Sequence, residues 1–198
     1  MSNPSKKQLE ELLQLCKTGE LVAAQGQAED LIAAHPNSFA LHSLCGAIHQ
    51  GLGQYQAASE KFSQALAIDP NRPDTHYNLG VALEALGQDL PATESYKRAL
   101  KLDPKHVSAL VNLGFLLKQA GDAEAAANLY QRALDLKPND PKTLYLIGRL
   151  FADEGAEDIA QEFYERSIQQ DSNSARPWLG LGALVSLDDE AGAYDFFR

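Results

Sequence analysis

A fixed spacing of 34 residues recurs along this chain of 198 residues and constrains its fold more than any other feature. Prolines, glycines and alanines each keep that spacing in a separate column. The columns consist of Pro36, Pro70, Pro104 and Pro138; of Gly19, Gly53, Gly87, Gly121 and Gly155; and of Ala24, Ala58, Ala92, Ala126 and Ala160. Three columns with one period exclude chance, and a period of this length is typical of an array of repeated structural units.

The clearest copy of the unit runs from Pro73 to Pro104 and has the pattern of two amphipathic helices. Gly87 is predicted to end the first helix, because glycine readily adopts the left-handed conformation of a helix C-cap. Asp103 is predicted to end the second helix, because a residue before proline avoids the helical region. The spacing predicts full copies at about 5–36, 39–70, 73–104, 107–138 and 141–172, and a partial copy at 175–198.

Within a copy, a large apolar residue precedes a glycine on the first helix, as in Leu79-Gly80, and an aromatic residue such as Tyr96 lies on the second. This pattern resembles the tetratricopeptide repeat (TPR) family. The resemblance implies an all-α fold, a right-handed superhelical solenoid of antiparallel helix pairs, with five full repeats plus a partial sixth in a single domain over residues 1–198. The glycine is expected to let two helix backbones approach. The first repeat departs from the pattern, with Leu12 for the glycine and Ala28 for the aromatic residue.

Charge and cysteine content narrow the functional classes. The net charge of −10 argues against nucleic acid as a partner, because nucleic-acid-binding proteins present a basic surface. No apolar run is long enough to cross a bilayer, and the first residues have no secretory-signal pattern. Cys16 and Cys45 are too few for a disulfide framework. We therefore expect a cytoplasmic protein without membrane contact.

No residue pattern predicts catalysis, a cofactor or a metal ion. His42 and His49 lie seven residues apart on one predicted helix, which is a conceivable metal-binding spacing. Both fall at packing positions of the repeat, so a structural role is favoured for them. The segment GLGQYQ at 51–56 is a helix–helix turn and not a phosphate-binding loop. The expectation is a non-catalytic segment with no cofactor and no metal.

The resemblance implies a concave groove, lined by the first helix of each repeat, that binds a protein or peptide ligand. Mapped onto this sequence, the groove positions are Tyr77, Asn78, Val81, Val111, Asn112, Phe115, Gln119, Lys142, Tyr145 and Arg149. Asn78 and Asn112 occupy equivalent positions, and a carboxamide both donates to and accepts from a peptide backbone. A comparable asparagine ladder lines the TPR groove of O-GlcNAc transferases. The alternative for both residues is that they tie neighbouring helices together.

A second kind of partner, an acidic one, is suggested by the cations at these positions. The two-carboxylate clamp of chaperone-binding TPR proteins is incomplete here: Asn112 and Lys142 match it, but Tyr77 and Val81 stand where Lys and Asn are needed. The cations Lys118, Lys142 and Arg149 still favour an acidic patch on a partner. A merely solvated face is the alternative.

Two further interpretations concern the ends of the sequence. The opening segment, LEELLQLCKTGELVAAQGQAEDLIAAHPNSFALHSLCGAI, resembles the N-terminal TPR arrays of bacterial transferases of the sulfotransferase and O-GlcNAc transferase type, and of oxygenases. The last residues, AGAYDFFR, fall in the middle of a predicted helix without a closing proline, so we expect the native chain to continue past Arg198. The open apolar end also predicts self-association as an alternative to partner binding.

Overall fold

The computed structural model describes residues 4–188. Within this range the chain forms eleven α-helices and no strand. The helices are α1 (Lys6–Thr18), α2 (Leu21–Ala34), α3 (Phe39–Gly51), α4 (Tyr55–Ile68), α5 (Pro73–Ala85), α6 (Asp89–Leu102), α7 (Val107–Gln119), α8 (Ala123–Leu136), α9 (Pro141–Asp153), α10 (Glu157–Gln170) and α11 (Ala175–Asp188). None of these helices has the length and apolar character needed to traverse a bilayer. The predicted all-α array of TPR helix pairs is confirmed.

The chain divides into two compact units, Met1–Ala109 and Leu110–Arg198, which we call unit 1 and unit 2. Unit 1 contains α1 to α6 and the beginning of α7. Unit 2 contains the rest of α7 and α8 to α11. Within unit 1 each helix from α1 to α6 packs chiefly against its neighbour in sequence, and α8 to α11 do the same in unit 2. A single domain over residues 1–198 stays a prediction.

Glycine and proline set the helix boundaries that the sequence predicts. Gly87 lies in the turn between α5 and α6, with φ of 69°, which is in the left-handed region. The equivalent glycines with positive φ are Gly19, Gly53, Gly121 and Gly155. Pro73 and Pro141 open α5 and α9, where a missing N–H costs nothing. The helix α11 starts at Ala175, where the partial sixth copy is predicted to begin, and the predicted helix after it lies outside the described residues.

The glycine on the first helix of a repeat makes room for an aromatic ring. A Cβ atom on Gly80 would lie 2.5 Å from Cε1 of Tyr96, whose side chain is fully buried. The same relation joins Gly46 to Phe62, Gly114 to Tyr130, and Gly148 to Tyr164. The nearest atoms belong to the ring, so this glycine makes room for the aromatic side chain, and at Gly148 an added Cβ would also lie 3.2 Å from the backbone oxygen of Ala160.

The first repeat fills its core with a different pair of residues. Leu12 on α1 and Ala28 on α2 are both 0% exposed and belong to one cluster with Leu41 and Cys45. The large side chain is now on the first helix and the small one is on the second. The departure from the family pattern is thus a change in packing, and both helices of the repeat form.

Ring N–H groups fix the connections between repeats. In each of the helices α3, α5 and α11, the fourth residue donates a hydrogen bond from its ring N–H to the carbonyl oxygen six residues earlier in the chain. These bonds run from His42 to Pro36 at 2.8 Å, from His76 to Pro70 at 2.9 Å, and from Trp178 to Ser172 at 3.2 Å. A carbonyl oxygen only accepts, so Nε2 of each histidine carries the proton. Nε2 of His42 is therefore engaged within the protein, and the structural role that the sequence favours for this residue stays a prediction.

Candidate functional site

The predicted groove residues of unit 2 lie on two neighbouring helices, α7 and α9, and contact each other. The contacts join Lys142 to Asn112 by a hydrogen bond of 3.0 Å, Arg149 to the Phe115 ring at 5.9 Å, and Lys118 to Asp153 by an ion pair. Residue numbers rise together along both helices, so α7 and α9 run in the same direction. Four of the predicted site residues therefore hold one another across this surface.

These contacts change the expected electrostatics of unit 2. The cations Lys118, Lys142 and Arg149 each face an acceptor, a carboxylate or a ring of the same unit. Pairs exposed to water contribute only about 0–1 kcal/mol each, so a partner can displace them at small cost. The positive charges of Lys118, Lys142 and Arg149 are nevertheless partly compensated by groups of the same unit. The hydrogen bond from Lys142 favours the alternative that Asn112 ties neighbouring helices together, over the alternative that it belongs to an asparagine ladder that binds a peptide.

Three more predicted residues of unit 2 differ in accessibility. Gln119 is exposed at the end of α7. Tyr145 is partly buried, with its ring 6.0 Å from the ring of Tyr164. Val111 is only 2% exposed, so its side chain offers no surface to a partner and is left out of the site that we propose below.

Burial beneath this face also perturbs two tyrosine hydroxyls. Burial raises the pKa of Tyr164 to about 12, with Tyr145 and Asp153 acting in the same direction and Arg149 opposing them. Burial raises the pKa of Tyr130 far above its usual range, again opposed by Arg149. Both hydroxyls therefore stay neutral near pH 7 and serve as packing groups and not as acids or bases.

In unit 1, the predicted groove residue Tyr77 belongs to an aromatic cluster. Its ring lies 5.8 Å from the Tyr96 ring and 4.8 Å from the ring of His106. The hydroxyl of Tyr96 donates to Oε2 of Glu84 at 2.6 Å, and Nε2 of His106 lies 3.3 Å from Oδ1 of Asp74. Much of Tyr77 is thus committed to packing within its own repeat and against the start of the next one.

Asn78 and Val81 line an open cleft between α3 and α5, which we call the Asn78 cleft. Its volume is about 390 Å³, and its complete lining is Ala47, Gln50, Gly51, Tyr55, Asn78, Val81 and Ala85. The side chain of Asn78 makes no hydrogen bond to another described residue. Oε1 of Gln50 is buried, and no donor in residues 4–188 reaches it. The cleft therefore combines small apolar walls with two amide groups that lack partners among the described residues.

Sequence reasoning missed most of this lining. Ala47, Gln50 and Gly51 occupy groove positions of the second repeat, equivalent to Val81, Glu84 and Ala85 of the third. Applying the position rule to the second repeat would have found them. Tyr55 begins α4, a second helix, and no groove position includes it.

The histidines are held by bonds within the protein. Nδ1 of His49 donates to Oε1 of Gln54 at 2.6 Å, and its Nε2 lies 3.8 Å from Oε1 of Glu29. His42 bonds separately to a loop carbonyl. Within residues 4–188, no group of three or more His, Cys, Asp or Glu side chains is arranged to hold a metal ion.

The fold defines a class: an all-helical protein built from repeated pairs of helices. Family models agree with this class. Models described as tetratricopeptide repeat match residues 73–106, 92–150 and 117–185, and a model described as TPR repeat matches residues 51–87. The chain belongs to the tetratricopeptide repeat family. A comparison with curated protein sequences finds no significant match.

Solved structures show the same fold at low sequence identity. PilW, described as a widely conserved type IV pilus biogenesis factor, is 20% identical with a TM-score of 0.85, over 98% of this chain and 91% of PilW. The pilF protein of Pseudomonas aeruginosa is 21% identical with a TM-score of 0.82, over 96% and 87% of the two chains. YrrB, described as a TPR protein with an unusual peptide-binding site, is 19% identical with a TM-score of 0.73, over 88% and 90%.

Proposed function

We propose that this chain is a non-catalytic scaffold that binds an extended peptide or a partner helix through the first helices of its repeats. The observation that carries the proposal is the Asn78 cleft, where an asparagine at a groove position has no hydrogen-bond partner among the described residues. A carboxamide that lines a cleft can donate to and accept from a peptide backbone at once. In unit 1 the candidate binding residues are Asn78 and Val81. In unit 2, considered by itself, they are Phe115, Gln119, Lys142 and Arg149.

The properties of the surface support a protein ligand over other classes. The net charge of −10 disfavours a polyanion such as nucleic acid. Fold similarity to YrrB, which is described as having a peptide-binding site, makes a peptide a reasonable first ligand to test. Bonds from neutral amides discriminate little among side chains, so capture is expected to be weak and tolerant of sequence.

Two asparagines at equivalent positions provide a matched test. Peptides would be selected from a random displayed library on the full chain, and their affinities measured by fluorescence anisotropy. Asn78→Ala is expected to weaken binding about fivefold, the effect of losing roughly 1 kcal/mol. Asn112→Ala is expected to have a smaller effect, because Lys142 donates to Oδ1 of that carboxamide and a peptide would have to displace this bond. Unchanged affinity in both variants, or no selected peptide at all, would contradict the proposal.

A second candidate is a substrate-recruiting arm of a larger transferase or oxygenase. The resemblance of the opening segment to such arrays favours it. The mass of the protein isolated from its native source tests this candidate, since a mass equal to that of this chain would exclude an attached enzyme.

Self-association through the C-terminal end is a third candidate. The side chain of Leu179 on α11 is 62% exposed, and such an apolar side chain on the last described helix favours contact with another copy. Light scattering over a range of concentrations would reveal it, and a constant monomer mass would count against it.

A further inference from the structure

The Asn78 cleft carries more information about its ligand than the rest of the predicted groove. Of its seven lining residues, none has a side chain that is ionised at neutral pH. A charged ligand group placed there would lose water without gaining a counter-charge from the walls, which is strongly unfavourable. The walls therefore select against Asp, Glu, Lys and Arg side chains.

The shape of the cleft suits a single side chain with its flanking backbone. Ala47 and Gly51 on α3 face Val81 and Ala85 on α5, so small residues leave the space open between the helices. A volume of about 390 Å³ lies near the lower end of the range for ligand sites, about 300–1,000 Å³. Tyr55 is the one aromatic residue in the lining.

Two amide side chains stand on opposite helices of this cleft. Gln50 is on α3, and its buried Oε1 lacks a donor among residues 4–188. Asn78 is on α5 and makes no hydrogen bond within the same range. An unpaired buried acceptor is costly, so a ligand N–H that reaches Gln50 after a small rotation of its side chain would be favoured. A peptide backbone supplies N–H and C=O groups on both sides of a side chain.

From these observations we infer that the Asn78 cleft holds one uncharged, apolar side chain of an extended partner segment, and that Gln50 and Asn78 bond the backbone on either side of it. This inference rests on the proposed function and specifies the class of ligand. The face of unit 2 offers a different chemistry, since its cations Lys118 and Lys142 already contact groups of the chain itself. An acidic segment is not the occupant of the Asn78 cleft, because no side chain in the lining carries a positive charge.

The experiment uses the full chain and peptides selected from a random displayed library. Selected peptides are expected to share one position occupied by Leu, Ile, Met or Phe and to lack ionised residues there. Replacing that residue by Asp should weaken binding about tenfold or more. Ala47→Glu should shift the selected residue at the same position toward Lys or Arg, because it adds a carboxylate to a wall without charge.

A matched pair of alanines controls for folding. Ala47 and Ala40 are both exposed on α3, but only Ala47 lines the cleft. Ala47→Leu should narrow the cleft and weaken peptide binding about tenfold, while Ala40→Leu should change it less than about twofold. Circular dichroism should show the same helix content for both variants.

The outcomes separate this inference from the proposed function. Peptides that bind equally well to Ala47→Leu and the wild type would overturn the inference. Selected peptides with an acidic residue at the shared position, whose binding is weakened by Ala47→Leu, would also overturn it, although they would leave the scaffold function standing. The absence of any selected peptide would overturn both. A shared apolar position in the peptides, with binding weakened on narrowing the cleft, supports both.

Discussion

The ammonium group of Lys142 donates a hydrogen bond to the carboxamide of Asn112 across α9 and α7, at 3.0 Å. At the equivalent point of the preceding repeat, Ser108 replaces Lys142 and Asn78 replaces Asn112. A serine hydroxyl is too short to make the same link, and Asn78 has no hydrogen bond to a described residue. Two asparagines with identical repeat positions thus differ in their hydrogen bonds to the rest of the chain.

This relationship predicts an energetic coupling between Lys142 and Asn112. A double-mutant cycle of Lys142→Ala and Asn112→Ala, followed by urea unfolding, should give a coupling free energy of about 0.5 kcal/mol, because the pair is exposed to water. Asn78→Ala should leave the free energy of unfolding within about 0.5 kcal/mol of the wild type. A coupling of zero would show that the hydrogen bond does not stabilise unit 2.

The contact between Gly80 and Tyr96 predicts a large effect from one methyl group. Gly80→Ala places Cβ 2.5 Å from a ring that is fully buried and hydrogen-bonded through its hydroxyl to Glu84. The ring cannot move away without strain, so we expect a loss of about 1–3 kcal/mol in the free energy of unfolding, measured with urea.

A second glycine on a helix provides the control for this substitution. A Cβ atom added to Gly26 in α2 would have no neighbouring atom within 4 Å, so Gly26→Ala should stabilise the chain by about 0.5–1 kcal/mol. Opposite signs for the two substitutions are the expected result. Destabilisation by both would mean that the loss at Gly80 does not come from the aromatic ring.

The repeat architecture could be predicted from sequence because its determinants are local and periodic. A left-handed glycine, a helix-breaking proline and a small residue beside an aromatic ring each act within one repeat. Even the exception was visible, since Leu12 and Ala28 reverse the usual sizes at two packing positions. The pattern could not show which atoms a side chain at the glycine position would clash with.

The candidate site was harder to predict because it depends on side chains from different repeats. The link between Lys142 and Asn112 requires a long side chain one repeat away, and the Asn78 cleft requires small residues on both α3 and α5. Tyr77 and Tyr145 occupy the same position of their repeats, and the pattern of the TPR family places that position in the groove. In this chain both rings lie close to the buried tyrosines of their own repeats.

The two cysteines should differ in reactivity. Cys45 is 0% exposed and Cys16 is partly exposed, and burial raises the pKa of both thiols, for Cys45 with Glu29 adding to the effect and Lys61 opposing it. A thiol reagent at mildly alkaline pH should modify Cys16 first and Cys45 only as the repeat opens, as mass spectrometry of digested samples would show. Equal rates for both thiols in the folded chain would refute this order.

Tyr164 predicts a loss of stability at alkaline pH. Its pKa in the folded chain is about 12, raised chiefly by burial, whereas an unfolded tyrosine titrates near a pH of about 10. Between these values the unfolded chain releases the phenolic proton and the folded chain keeps it, so the free energy of unfolding falls as pH rises. The free energy of unfolding in urea, measured below and above a pH of about 10, should show this fall. Tyr164→Phe should reduce the fall, because the ring remains while the titrating hydroxyl is gone. An equal fall in the variant would assign the effect to other groups, Tyr130 first among them.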